Sequence, residues 1–410
     1  MSEENAKKLN TVSGAGDVAA EAAGAVKNVS GAEKAGSRAE TVKADSAAEF
    51  GASRAPEPEP ARGESGAAPK HGKVRTAVLV LVLLLLTAGV IYVIDLLLRP
   101  KYMGDVTEGA LTAEYYKAYG DHDVLFVGDC EVYENFSTVQ LWREFGINSF
   151  IRGGAQQLTW QSYYLLEDAL RYETPDVVVF NVLALMYNEP QNEAYNRMAL
   201  DGMRWSPTKW NAIQASMCED ESMVDYIFPI LRYHSRWNEL TSEDFRYWFK
   251  KDIISYNGYY LRTEILPAGA MPPARPLLDD KFGDRAMEYL DKMTALCEEK
   301  GIHLVLIKSP SLYPHWYDEW DQQMVEYAEA HGILYINMLD IAEDQVGVDY
   351  SLDTYDGGLH MNVTGAEKCA SYLGKVLVEK YGLTDHRGDA KMSAYWDEVG
   401  ARYDEAKNAG

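Results

Sequence analysis

Cysteine is scarce in this chain: four in 410 residues, at positions 130, 218, 297 and 369. No two stand at the short spacing of a zinc site, and so wide a scatter excludes a disulfide-dense scaffold. Basic residues are also in deficit, with 39 Lys and Arg against 63 Asp and Glu, for a net charge of −24. A nucleic acid needs a basic face to displace its counterions, so it is not an expected partner. Residues 1–72 lack aromatics apart from Phe50 and are rich in Ala, Gly, Ser, Glu and Lys. Such a stretch cannot bury enough apolar surface to offset its ordering entropy, so a disordered tail is expected there. The acidic excess falls almost wholly on the rest of the chain.

What the sequence does have is one long hydrophobic run, TAVLVLVLLLLTAGVIYVIDLLL, from Thr76 to Leu98, with Asp95 as its single charge. About 20 such residues cross a bilayer, so residues 74–99 are expected to form a transmembrane helix. The run begins too far from the N-terminus, and is too long, for a cleaved signal peptide. Lys70, Lys73 and Arg75 precede it and Arg99 and Lys101 follow. This slight bias favours a cytoplasmic N-terminus and an extracellular folded domain, a single-pass protein of the cell membrane.

Beyond residue 105 short apolar runs alternate with amphipathic stretches. The runs Val124–Val127, Ile147–Ile151, Asp176–Asn181, His303–Ile307 and Ile333–Asn337 read as strands, and the stretches between them as crossover helices. This alternation predicts an α/β domain over 105–385, with one five-stranded parallel sheet in flavodoxin-like order and helices on both faces. Between 189 and 282 it is lost. The insertion carries RWSPTKW, LRYHSRWNEL and DFRYWFKK, in which Arg204, His234 and Arg236 are candidate substrate-binding residues, because arginines beside aromatics suit sugars and anionic polymers. An aromatic-rich helical subdomain packing on the sheet accounts for the same residues. Residues 386–410 are polar and read as a peripheral C-terminal segment.

Two stretches carry the chemistry. In DVLFVGDCEVYENF, Asp123 to Phe136, the apolar strand stops at Gly128, so Asp129, Cys130 and Glu131 lie beyond its carboxyl end, where open α/β sheets bind ligands. The other, DGGLHMNVTGAEK, runs from Asp356 to Lys368 and opens the last helix. Together they resemble the first and last blocks of the SGNH or GDSL hydrolases and acyltransferases, over roughly residues 123–382. The resemblance implies a three-layer sandwich with Cys130 in place of the nucleophilic serine, His360 as base and Asp356 as the acid that orients it. The family places Asp three residues before His; here Asp356 is four before, and Asp353 stays open for the role. It further implies an oxyanion hole from the backbone N–H groups of Cys130 and Gly154, the latter in RGGAQQ beside Gly153, with an asparagine. No Gly-x-Asn-Asp motif supplies that asparagine, which leaves Asn188 or Asn181. The glycine pair equally suits a tight turn. No cofactor or metal is implied.

A thiol, with an ordinary pKa near 8.5, is readily ionised by a neighbouring histidine and can hold an acyl group as a thioester. The layout is similar to the teichoic acid D-alanyl transfer proteins and the alginate O-acetylation proteins. That similarity implies acyl transfer onto cell-envelope polysaccharide or teichoic acid, with a multispanning membrane acyltransferase as donor partner. An esterase or deacetylase releasing acyl groups to water is the first alternative. A non-catalytic, membrane-tethered glycan-binding scaffold is the second.

Overall fold

The computed structural model describes residues 70–99, 111–250, 252–277 and 279–409. The expected tail over 1–72 lies almost entirely outside them. The first element is the helix α1, Lys70–Leu98; then follow the strand β1 (Val124–Gly128), helices α2 (Cys130–Asn135) and α3 (Thr138–Phe145), β2 (Ser149–Gly153), α4 (Thr159–Ala169) and β3 (Val177–Asn181). After the insertion come α5 (Asp284–Lys300), β4 (His303–Lys308), α6 (Asp318–His331), β5 (Leu334–Asn337), α7 (Val363–Tyr381) and α8 (Ala390–Ala409). All strand pairs are parallel, in the order β2-β1-β3-β4-β5. This is the flavodoxin-like order, whose switch point falls between β1 and β3.

Strand periodicity divides the core into two layers. Val124, Phe126, Val177, Val179, Val305 and Ile307 face one layer, with Val139, Trp142, Leu373 and Leu377 from α3 and α7. Leu125, Val127, Val178, Phe180, Leu304 and Leu306 face the other, with Leu166, Leu290, Met293 and Met324 from α4, α5 and α6. Both faces of the sheet are covered, which is why its central strands are continuously apolar rather than alternating. Ser137 caps α3 by accepting the Gln140 N–H, and Gly146 closes that helix in the left-handed conformation.

The C-terminal segment is not peripheral. Met392, Trp396, Val399 and Tyr403 recur at helical spacing on α8 and are buried in the core. The Trp396 ring stacks on Trp142 with centroids 5.5 Å apart, and its indole N–H donates to Asn148 Oδ1 at 3.1 Å. The stripe is visible in the sequence, but the charges interspersed along the segment obscure it.

The insertion begins as short helices, Glu193–Leu200, Pro207–Ser216, Met223–Ile227, Ile230–Tyr233 and Ser242–Phe249. It then returns as irregular chain along the open edge of β2, where Asn257 accepts the Ile151 N–H at 2.9 Å and donates its side-chain amide to Ser149 O. That edge is thereby covered instead of exposed. Gly258 has φ +83°, and a Cβ there would come within 2.0 Å of Ile151 O. Among the described residues one helix, α1, is long and apolar enough to cross a membrane. Its side chains from Lys73 to Ile94 are exposed, and only its last turn packs against the domain.

Candidate active site

β1 ends at Gly128, whose φ of +153° turns the chain off the sheet and whose bare Cα lets Asn181 and Val132 approach. Asp129 caps the next helix by accepting the Glu131 N–H at 3.2 Å, so Cys130 starts α2 at the carboxyl edge of the sheet. Four residues on, and therefore on the same helix face, stands Glu134. His360 arrives from the loop before α7. Its Nδ1 lies 2.6 Å from Asp356 Oδ2 and 3.2 Å from Glu134 Oε2, and its backbone N–H donates to Asp356 Oδ1 at 2.8 Å. The ring is also an electrostatic neighbour of Cys130, each group acting on the other's proton affinity. With two carboxylates on Nδ1, the nitrogen that meets the sulfur is Nε2.

Burial alone would lower the His360 imidazole. The negative charges of a Cys130 thiolate and Glu134, with the hydrogen bond to Asp356, outweigh it and hold the ring well above its ordinary value. Burial pushes the Cys130 thiol up to about 11, and the positive ring of His360 offsets only part of that rise. A thiol held this high keeps its proton near neutrality, and that proton must leave before the sulfur can attack. Alkylation of Cys130 is thus expected to climb through the alkaline range instead of levelling off at neutral pH. Cys218, also near 11 but held there by burial and Glu221, should climb as well. In a His360→Ala chain the Cys130 curve should change and the Cys218 curve should not; rate against pH with iodoacetamide and peptide mass spectrometry reads both.

The acid against the histidine is Asp356. Between Asp356 and His360 the loop turns at Gly357 and Gly358, both at positive φ. Asp353 is engaged elsewhere, accepting the Asp349 N–H at 2.7 Å and pairing with Lys368 Nζ at 2.6 Å. The expected oxyanion donors are mostly spent. The Gly154 N–H donates to Gly128 O at 3.3 Å, and Asn188 caps α5 by accepting the Arg285 N–H at 2.9 Å. Asn181 is fully buried, donating to Asp129 and Glu131 and accepting from Ser309 N–H. The Cys130 N–H belongs to the first turn of α2, where a helix supplies no internal acceptor.

The three insertion residues have structural partners rather than a place at the site. Arg204 stacks over Tyr116 at 4.4 Å, and His234 Nδ1 lies 2.8 Å from Leu231 O. Arg236 donates to the carbonyls of Leu98 and Arg99, at 2.7 and 2.5 Å, closing the end of α1. The part of the insertion that does reach the site is its return segment. Leu266 N–H donates to Thr354 O, Gly357 N–H to Leu266 O, and Val363 N–H to Arg262 O, which pins the loop carrying Asp356 and His360.

Several neighbours were not singled out by motif reasoning. Tyr355 donates to Glu134 at 2.7 Å and stacks on His360, while Asn135 accepts the Met361 N–H and donates to Ser309 and Ser311. Behind the thiol, Lys308 Nζ lies 3.1 Å from both Glu131 oxygens, fully buried. The i, i+4 spacing of Cys130 and Glu134 was a usable signal; for Lys308, ending an apolar strand, none was available. Among the described residues no group of three or more His, Cys, Asp or Glu could hold a metal ion.

No family profile matches the sequence, and no curated protein matches it. Among solved structures it is similar to a proposed acylhydrolase from Bacteroides fragilis, with 12% identity and a TM-score of 0.33 over 69% of this chain and 100% of that one. A likeness at this level says nothing about chemistry.

Proposed function

We propose that the chain is a membrane-anchored, SGNH-like acyl-transfer enzyme that acts on cell-envelope polysaccharide or teichoic acid through Cys130, His360 and Asp356. The observation that carries this reading is that His360 Nδ1 lies 2.6 Å from Asp356 while the ring and the Cys130 thiol act on each other's charge, at the carboxyl edge of a parallel sheet. A nucleophile, a base and a group that orients the base are what acyl transfer requires. Sγ attacks the acyl carbonyl carbon while His360 accepts the thiol proton and then passes it to the departing alkoxide, leaving a thioester on Cys130. An acceptor hydroxyl attacks the thioester, His360 takes its proton, and the ester forms as the thiol is regenerated. The Cys130 N–H is the oxyanion donor this scheme uses. The α1 helix supplies the anchor, and a multispanning membrane acyltransferase is the donor partner the reading calls for.

Hydrolysis differs only in that water replaces the acceptor. The non-catalytic glycan-binding reading is favoured by one observation: Gly154 and Asn188, the expected oxyanion donors, already hold other partners. Incubation of the purified full chain with p-nitrophenyl acetate decides between catalysis and scaffold. Intact mass is expected to show one acetyl group, located at Cys130 by peptide mapping and absent from Cys130→Ala. Acetylation elsewhere, or none at alkaline pH, sinks catalysis; acetyl transfer to an added oligosaccharide separates transfer from hydrolysis.

A further inference from the structure

The short helices of the insertion carry an unusual surface. Phe228, Leu231, Trp237, Phe245, Trp248 and Phe249 are all exposed, Trp237 at 71% and Phe249 at 89%. They belong to the elements Met223–Ile227 through Ser242–Phe249 and their connections, and the last turn of α1 packs against three of these elements, Ile230–Tyr233, His234–Asn238 and Ser242–Phe249. Arg236, in the middle of this run, binds the last carbonyls of α1, and its guanidinium also reaches Asp244 Oδ1 at 3.4 Å. The aromatic surface is therefore tied to the end of α1.

Helix geometry sets the height of that junction. At 1.5 Å per residue, about 20 residues cross the roughly 30 Å hydrocarbon core, which takes a helix entering at Thr76 to Asp95. Asp95 and Arg99 form an ion pair at 2.6 Å, as a charge at the hydrocarbon boundary requires. The clasp at Leu98 and Arg99 then lies at headgroup level, where Trp is favoured because its ring is apolar while its N–H tolerates water, and where Phe and Leu can sink an apolar face toward the acyl chains. Left in water, each of these side chains forgoes burial energy, and six of them exposed on neighbouring short helices mark a contact surface.

We propose that the aromatic face of the insertion, around Phe228, Trp237 and Phe249, is seated in the bilayer interface beside α1. The inference rests on α1 crossing the membrane. It makes the insertion a second, monotopic attachment that limits rotation of the domain about its anchor and holds the Cys130 crevice at a constant height above the lipid.

The helix α1 contains no tryptophan, so tryptophan emission reports on the domain alone. The full chain is reconstituted in phosphatidylcholine nanodiscs with or without bromine on the acyl chains. Of the nine tryptophans, Trp237 and Trp248 lie on the proposed face, so brominated lipid should remove on the order of one-fifth of the emission, given that bromine quenches only rings at the boundary. Trp237→Phe with Trp248→Phe should abolish that loss, and Phe228→Ser with Phe249→Ser should reduce it. Equal quenching with and without those tryptophans overturns the proposal. So does unquenched emission from a chain that resists alkaline carbonate extraction, in which case the anchor stands and the face belongs to a protein partner. Release of the chain by carbonate overturns the anchor itself, and the seating with it.

Discussion

His360→Ala is expected to slow acylation of Cys130 by about 10²–10⁴-fold, the usual worth of a positioned general base. The thiol is partly buried and raised, and the imidazole is the neighbour that most favours its ionised form. Cys130→Ser should lose the thioester yet keep a fraction of ester turnover, because a hydroxyl depends still more on the base. Asp356→Ala should fall between, since Glu134 also faces Nδ1 at 3.2 Å and can hold the ring. Glu134→Gln is the informative change. Glu134 is one of the charges raising His360, so its loss should move the alkaline rise of the labelling rate toward neutral pH while leaving Asp356 in place. Stopped-flow release of p-nitrophenol across pH reads all four variants; an unchanged rate in His360→Ala removes the histidine from the mechanism.

Lys308→Met is expected to cost about 3–5 kcal/mol of stability, as when one partner of a buried ion pair is removed. Its ammonium is fully buried between the Glu131 carboxylate and the Ser309 carbonyl, directly beneath the helix that starts at Cys130. Without it Glu131 and Asp129 face each other with only Asn181 between them. Lys308→Met combined with Glu131→Gln should recover part of the loss, because the isolated charge is gone. Burial, and then the charge of Glu131, raise the Asp129 carboxyl to about 7. A folded acid held above its unfolded value contributes stability that is present at low pH and is lost as pH rises through the folded pKa. The Lys308→Met penalty should therefore be larger at about pH 8 than at about pH 6, because Lys308 is among the charges that favour ionised Asp129. Urea unfolding in detergent, followed by near-UV circular dichroism, measures both; a loss under about 1 kcal/mol would place the pair among those of little net worth.

Secondary structure was largely legible because its signals are local. Apolar runs of four or five residues bounded by Gly, Pro or Asp become buried strands, and the amphipathic stretches between them can bury their stripe only by lying on a sheet face. Chirality then leaves few topologies, and the 2-1-3-4-5 order is one of them. Cys130 was legible as a residue just beyond an apolar strand, whereas His360, in the loop before α7, was singled out through the resemblance of its stretch to a family block. The C-terminal helix is buried where its sequence reads as peripheral, because its stripe of four buried apolar residues is diluted by charges, and only contact with Trp142 shows what the stripe covers.

What the sequence by itself determined, then, is the membrane-length helix, the alternating α/β plan and the identity of the residues at the strand ends. These follow from periodicity, length and composition within windows of a few residues. Tertiary structure alone decided which acid meets His360, that Glu134 meets it too, that Gly154 and Asn188 are already engaged, and that Arg236 closes the end of α1 rather than facing a sugar. Each of those outcomes depends on distances of about 3 Å between side chains and backbone often more than a hundred residues apart in the chain. No local pattern encodes such a distance; it is set by how helices, insertion and loops pack on the sheet.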